Sequence, residues 1–199
     1  MYLQADGKIM LAGTTTQGGT YDLAIARYNT DGTPDLTFNA SNTLGGTVSY
    51  TENGASIVLD SNVQIFDPEL STANSFTGAT LTLTRVGGAN TQDHFAASGV
   101  LSALTQGGNV IVSGTNIGTV TTNSNGTLVL TFNSNATQSL VNSAMRAIAY
   151  SNNADAPPSS VQISWTYNDG NSGGHRAGGA LTGTGTTTVN ITAVNDAPF

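Results

Sequence analysis

The sequence predicts an all-β protein: a two-layer β-sandwich with one short helix, preceded by a small β unit. Three observations carry the prediction. Short runs alternate apolar and polar residues, the two-residue period of a strand with one face in a core and one in water. Thr is abundant, which favours strands, and so are Gly and Asn, which favour turns. A single stretch has the spacing of a helix. At 38% apolar and 9% charged, the 199 residues suit one or two domains with a real core.

Residues 1–39 read as the small β unit. Ala5-Asp6-Gly7-Lys8 is a turn, Ile9 to Ala12 a short strand ending at Gly13, and Thr14 to Thr20 a polar loop. Leu23, Ile25 and Tyr28 mark a second strand, and Asp31-Gly32 a second turn. Residues 40–47, A-S-N-T-L-G-G-T, are small and polar and read as a linker.

Residues 48–199 read as the sandwich. Ile57, Val58 and Leu59 give a first strand, and Val63 and Ile65 alternate with Asn62 and Gln64 in a second. Asp67-Pro68-Glu69 is a turn with two carboxylates. Leu81 and Leu83 alternate with Thr80, Thr82 and Thr84; Val110 to Val112, Ile117 to Val120, and Leu128, Leu130 and Phe132 follow. Leu140, Val141, Ala144 and Ile148 share a helix face, with Thr137 or Asn135 as its cap and Asn152, Asn153, Pro157 and Pro158 as its stop. Val161, Ile163, Trp165 and Tyr167 form the strongest strand, which buries Trp165. A Gly-rich loop, Asn168 to Gly174, leads to the closing strand of Val189, Ile191 and Ala193. About seven strands separated by turns argue for two packed sheets.

Two resemblances follow from longer motifs. Q-A-D-G-K-I-M-L-A-G and A-R-Y-N-T-D-G-T-P-D-L-T-F-N, within Gln4 to Asn39, resemble the delta-sixty repeat, a propeller-like bacterial repeat. One copy is present, and such repeats need neighbours to bury their faces. The other reading of this segment is an N-terminal hairpin docked on the next domain. Over residues 48–198, T-E-N-G, N-A-T-Q-S-L-V-N-S-A-M-R-A-I-A-Y-S-N, V-Q-I-S-W-T-Y-N-D-G-N-S-G and V-N-D-A-P resemble bacterial cadherin-like repeats, immunoglobulin-type modules of very large surface proteins.

The acids are the candidates for chemistry. In a sandwich, the loops bearing Asp67, Glu69 and Asp169 return to one end, where Ca²⁺ would find the oxygens it prefers. The resemblance implies calcium at module junctions and carries over Asp67, Glu69, Asp169, Asn195, Asp196 and Glu52 as its ligands. The same acids are also ordinary turn formers and caps. His94 and His175 lack metal-ligand spacing, and no nucleophile, zinc or phosphate-loop motif occurs.

Net charge is -7 with five scattered bases, which leaves nucleic acid no electrostatic footprint. No Cys is present, so disulfide and thiolate chemistry are excluded. No stretch approaches the roughly 20 apolar residues of a membrane span. Residues 1–6 lack the features of a signal peptide, so an exported protein would use another signal or be longer. The expectation is a non-enzymatic spacing and adhesion module of an exported, extracellular bacterial surface protein. Its partners would be neighbouring domains and a cell-surface or polysaccharide ligand. The alternative is a carbohydrate-binding module of an extracellular enzyme, which exposed aromatics on a sheet face would favour.

Overall fold

The computed structural model describes residues 1–15, 22–33, 35, 43–170 and 180–195. The chain divides into two compact units, Met1–Ala40 and Ser41–Phe199. It is all-β, with two short helices among the described residues, both in the second unit.

The first unit holds β1 (Tyr2–Leu3), β2 (Ile9–Thr15) and β3 (Asp22–Tyr28), antiparallel in that order. The strand β1 extends the predicted hairpin to three strands. At the Asp6-Gly7 turn, Gly7 has φ +83°, a conformation in which a Cβ is strained. Asp35 is buried and accepts from Lys8 Nζ at 2.9 Å and Arg27 Nε at 2.7 Å. None of the described apolar side chains of this unit is buried, and Tyr2 and Leu3 are 66% and 64% exposed.

The second unit contains β4 (Gly45–Thr51), β5 (Ile57–Val58), α1 (Pro68–Ala73), β6 (Thr80–Arg85), β7 (Asp93–Ala97) and β8 (Asn109–Val112). It continues with β9 (Thr115–Ser124), β10 (Thr127–Phe132), α2 (Gln138–Met145), β11 (Ile148–Asn152), β12 (Ser160–Asn168) and β13 (Thr182–Thr192). A seven-stranded sheet runs β4-β13-β12-β6-β10-β9-β8, and a three-stranded sheet β5-β11-β7. Pairing is antiparallel except between β4 and β13.

One core joins the sheets. Leu81, Leu83, Leu128, Leu130 and Ile163 from the larger sheet meet Phe95, Ile148 and Tyr150 from the smaller. Trp165 is fully buried, as its phase with Val161, Ile163 and Tyr167 predicts, and its Nε1–H donates to Thr187 Oγ1 at 2.8 Å. The same inward register brings Arg85, at the end of β6, to the core side. There it forms two bonds to the buried Asp93 of β7, at 2.8 and 2.6 Å. Tyr150 Oη and Asn152 Nδ2 on β11 also donate to Asp93 Oδ1, at 2.6 and 2.9 Å. Tyr50 on β4 donates to the Asn152 carbonyl at 3.1 Å.

Several expectations need correction. Gly45 to Thr47, read as linker, already belong to β4, because the adjacent β13 supplies a ladder from Thr186 onward. Val63 and Ile65 are buried but form no strand; Gln64 makes a single bridge to Thr43. Asp67-Pro68-Glu69 opens α1 rather than a turn. Pro68 at the first helical position needs no N–H partner, and Asp67 Oδ1 caps the Leu70 N–H at 2.8 Å. The second helix has Thr137 as its cap but ends at Met145. Ile148 begins β11, because its backbone pairs with β7. The Gly-rich loop from 171 onward, with His175, lies outside the described residues.

Asp93 is the shared acceptor of Arg85, Tyr150 and Asn152. Asp93→Ala should therefore destabilise the second unit by about 3–5 kcal/mol, since it leaves a part-buried guanidinium without its anion. Urea unfolding of the two proteins measures this. A loss below about 1 kcal/mol would show that apolar packing alone holds the sheets together.

Candidate functional site

The pairing of β12 with β13 places Asn168 opposite Thr182, so Asp169 stands beside Leu181 at the mouth of the intervening loop. There the two residues clip together. The Asp169 N–H donates to the Leu181 carbonyl at 3.1 Å, and the Leu181 N–H donates to Asp169 Oδ1 at 3.0 Å. Gly170 follows at φ +66°, and a Cβ there would lie 2.2 Å from the Gly78 carbonyl oxygen. No other residue fits that approach of the loop mouth to the chain entering β6.

Asp67 arrives from the other direction, at the start of α1. It caps the helix through Leu70, and its own N–H donates to Ser71 Oγ at 3.1 Å. Asp67, Asp169 and Tyr167 line one cavity of about 220 Å³, with Phe66 and Leu181 in its wall. Tyr167 is 3% exposed, and its ring meets Phe76 edge-on at 6.3 Å. Its hydroxyl has no hydrogen-bond partner among the described residues. Burial pushes the Tyr167 phenol well above the usual tyrosine range, and the nearby charges of Asp67 and Asp169 push it further. Tyr150 is raised as well, by burial first and then by its bond to Asp93.

The remaining predicted ligands lie elsewhere. Because β4 runs parallel to β13, Glu52 sits where β13 ends, whereas Asp169 sits where it begins. The ten steps from Thr182 to Thr192 separate them by roughly 33 Å at about 3.3 Å per residue. Glu52 is 4% exposed; its N–H donates to the Thr192 carbonyl at 3.0 Å, and its Oε2 accepts from the Val194 N–H at 2.8 Å. Its Oε1 is buried with no partner among the described residues. Asn195, exposed, follows directly. Thus Glu52 meets the exit segment, and Asp67 meets Asp169. Asp196 lies outside the described residues, as does the side chain of Glu69 on α1. His94 is exposed on β7. Among the described residues no three His, Cys, Asp or Glu side chains gather closely enough to hold a metal by themselves.

The sequence reading assigned Tyr167 to the core and missed its place beside the two carboxylates. The available signal was a tyrosine at the last inward position of a strand that runs into Asn168-Asp169-Gly170.

The family model described as "Domain of unknown function (DUF5122) beta-propeller" matches residues 4–38. The first unit is therefore similar to a propeller-type repeat. Comparisons with curated proteins and with solved structures gave no match.

The raised tyrosines set an alkaline limit. A folded-state pKa above the unfolded value gives stability that is complete below about pH 10 and lost as pH rises beyond it. The melting temperature should hold steady from pH 8 to about 10 and then fall. Of the six tyrosines, Tyr150 and Tyr167 should ionise only as the chain unfolds. Tyrosinate absorbance followed alongside the melts checks this; ionisation of all six in the folded protein would contradict it.

Proposed function

We propose that this chain is a structural module of a large exported bacterial surface protein. Its work is spacing and adhesion, and it is stiffened by calcium. The observation that carries the reading is the meeting of Asp67 and Asp169 on one cavity, from elements 102 residues apart (169 − 67). Among the described residues that line it the donors are oxygen atoms, with neither thiolate nor imidazole, which suits a hard cation of flexible coordination. Asp67 and Asp169 would hold the ion, which would supply positive charge between them and tie α1 to the loop mouth. The second unit is read as an immunoglobulin-type, cadherin-like sandwich, supported by two sheets around one core. The propeller-type repeat before it, with its unburied apolar side chains, fits a chain made of modules that cover one another. No reaction is assigned to any of these residues. Among the described residues of the second unit no Phe, Tyr or Trp side chain is exposed, so nothing there favours the sugar-stacking alternative.

Calcium should raise the melting temperature of the second unit, and magnesium should raise it less, because it demands a tighter octahedron. Extracellular sites bind at about 10⁻⁴ to 10⁻³ M, and at a hundredfold excess linkage gives about 2.7 kcal/mol. Asp169→Asn keeps an oxygen for the Leu181 N–H while removing charge, so it should lose most of the calcium shift and little of the metal-free stability. Melting curves in EDTA and in excess calcium test both. No shift in the parent would dispose of calcium at this end, and equal shifts in both proteins would remove Asp169 from the site.

A further inference from the structure

We infer that the Tyr167 hydroxyl belongs to the cation site, as a neutral oxygen on the inner wall of the cavity that meets the ion directly or through one of its waters. The inference rests on the calcium reading just given and adds a residue to it. A buried hydroxyl without a partner costs free energy, and Phe would fill the same space without that cost. Among the described residues, the other buried polar aromatics of this unit are all satisfied. Tyr50 donates to the Asn152 carbonyl, Tyr150 to Asp93 and Trp165 to Thr187. Tyr167 stands apart from them, and it is the one that borders the cavity shared by Asp67 and Asp169.

The chemistry of the place agrees. A phenol hydroxyl offers both its lone pairs and its O–H. A neutral oxygen suits calcium, which mixes carboxylates with uncharged oxygens and waters. The cavity, about 220 Å³, has room for an ion and several waters at about 30 Å³ each. The charges of Asp67 and Asp169 draw a cation to that space, and Tyr167 adds a neutral oxygen to a lining that Phe66, Leu181, Thr182 and Gly183 complete.

Tyr167→Phe in the full chain is the test, with calcium titrations followed by melting temperature and by the tyrosine difference spectrum. The metal-free variant should melt at or above the parent, because only an unpartnered hydroxyl is removed. Its calcium dissociation constant should rise roughly tenfold, the effect of losing one good hydrogen bond or ligand. The calcium-induced change in the parent's tyrosine band should vanish in the variant. An unchanged calcium midpoint in Tyr167→Phe, with the parent still responding, would overturn this inference and leave Asp67 and Asp169 as the site. A parent that responds to calcium with no change in its tyrosine band would overturn it independently of how the variant folds. A parent with no calcium response at all would overturn both readings.

Discussion

The second unit depends on the pair formed by Arg85 and Asp93. The inward register of Leu81 and Leu83 carries Arg85 to the core side of β6, opposite Ile163. A guanidinium there loses much of its water, and only a well-bonded anion offsets that loss. Asp93 supplies the anion from the other sheet, with a carboxylate that is itself 2% exposed. Tyr150 and Asn152 then complete its acceptor sites, and the β7–β11 register places Asn152 directly opposite Asp93. Apolar contact supplies most of the attraction between the sheets but is not directional. The ion pair fixes how the smaller sheet sits on the larger one.

That constraint reaches the candidate site through β6. Arg85 closes one end of this strand, and Thr80, opposite Asn168, opens the other. Fixing β6 fixes β12 beside it, and so the point at which Asp169 and Gly170 turn away above Gly78. Asp67 needs a second support, the cap of α1. Two separate pieces of local structure thus present two carboxylates to one cavity. At the far end of β13, Glu52 holds the exit segment through Val194. The unit has a buried acid engaging backbone at each end, the arrangement that the proposed spacing role uses.

Where a strand alternates cleanly, the sequence told its place. Thr80 to Arg85, Thr127 to Phe132 and Ser160 to Asn168 all lie in strands with the alternating residues that marked them inward. The strands β7, D-H-F-A-A, and β11, I-A-Y-S-N, did not show themselves. Each is short, and each is fixed by its partner rather than by its own pattern. Ile148 stood at helical spacing from Ala144, yet sheet pairing decided its conformation. Arg85 looked like one of five scattered bases, because the acid that binds it belongs to another strand of another sheet. The bond between Glu52 and Val194 spans 142 residues, and no local pattern encodes it. Asp67 and Asp169 were legible as acids at element ends, while the phenol that lines the same cavity was hidden by its resemblance to a core residue.

Amide hydrogen exchange with and without calcium tests the central claim most directly. The N–H groups of Leu70 and Leu181 donate to Asp67 and Asp169, and that of Val194 donates to Glu52 at the opposite end. A cation held by the first two carboxylates should slow exchange at Leu70 and Leu181 and leave Val194 unchanged. Protection confined to Val194, or absent from all three amides at saturating calcium, would contradict the account.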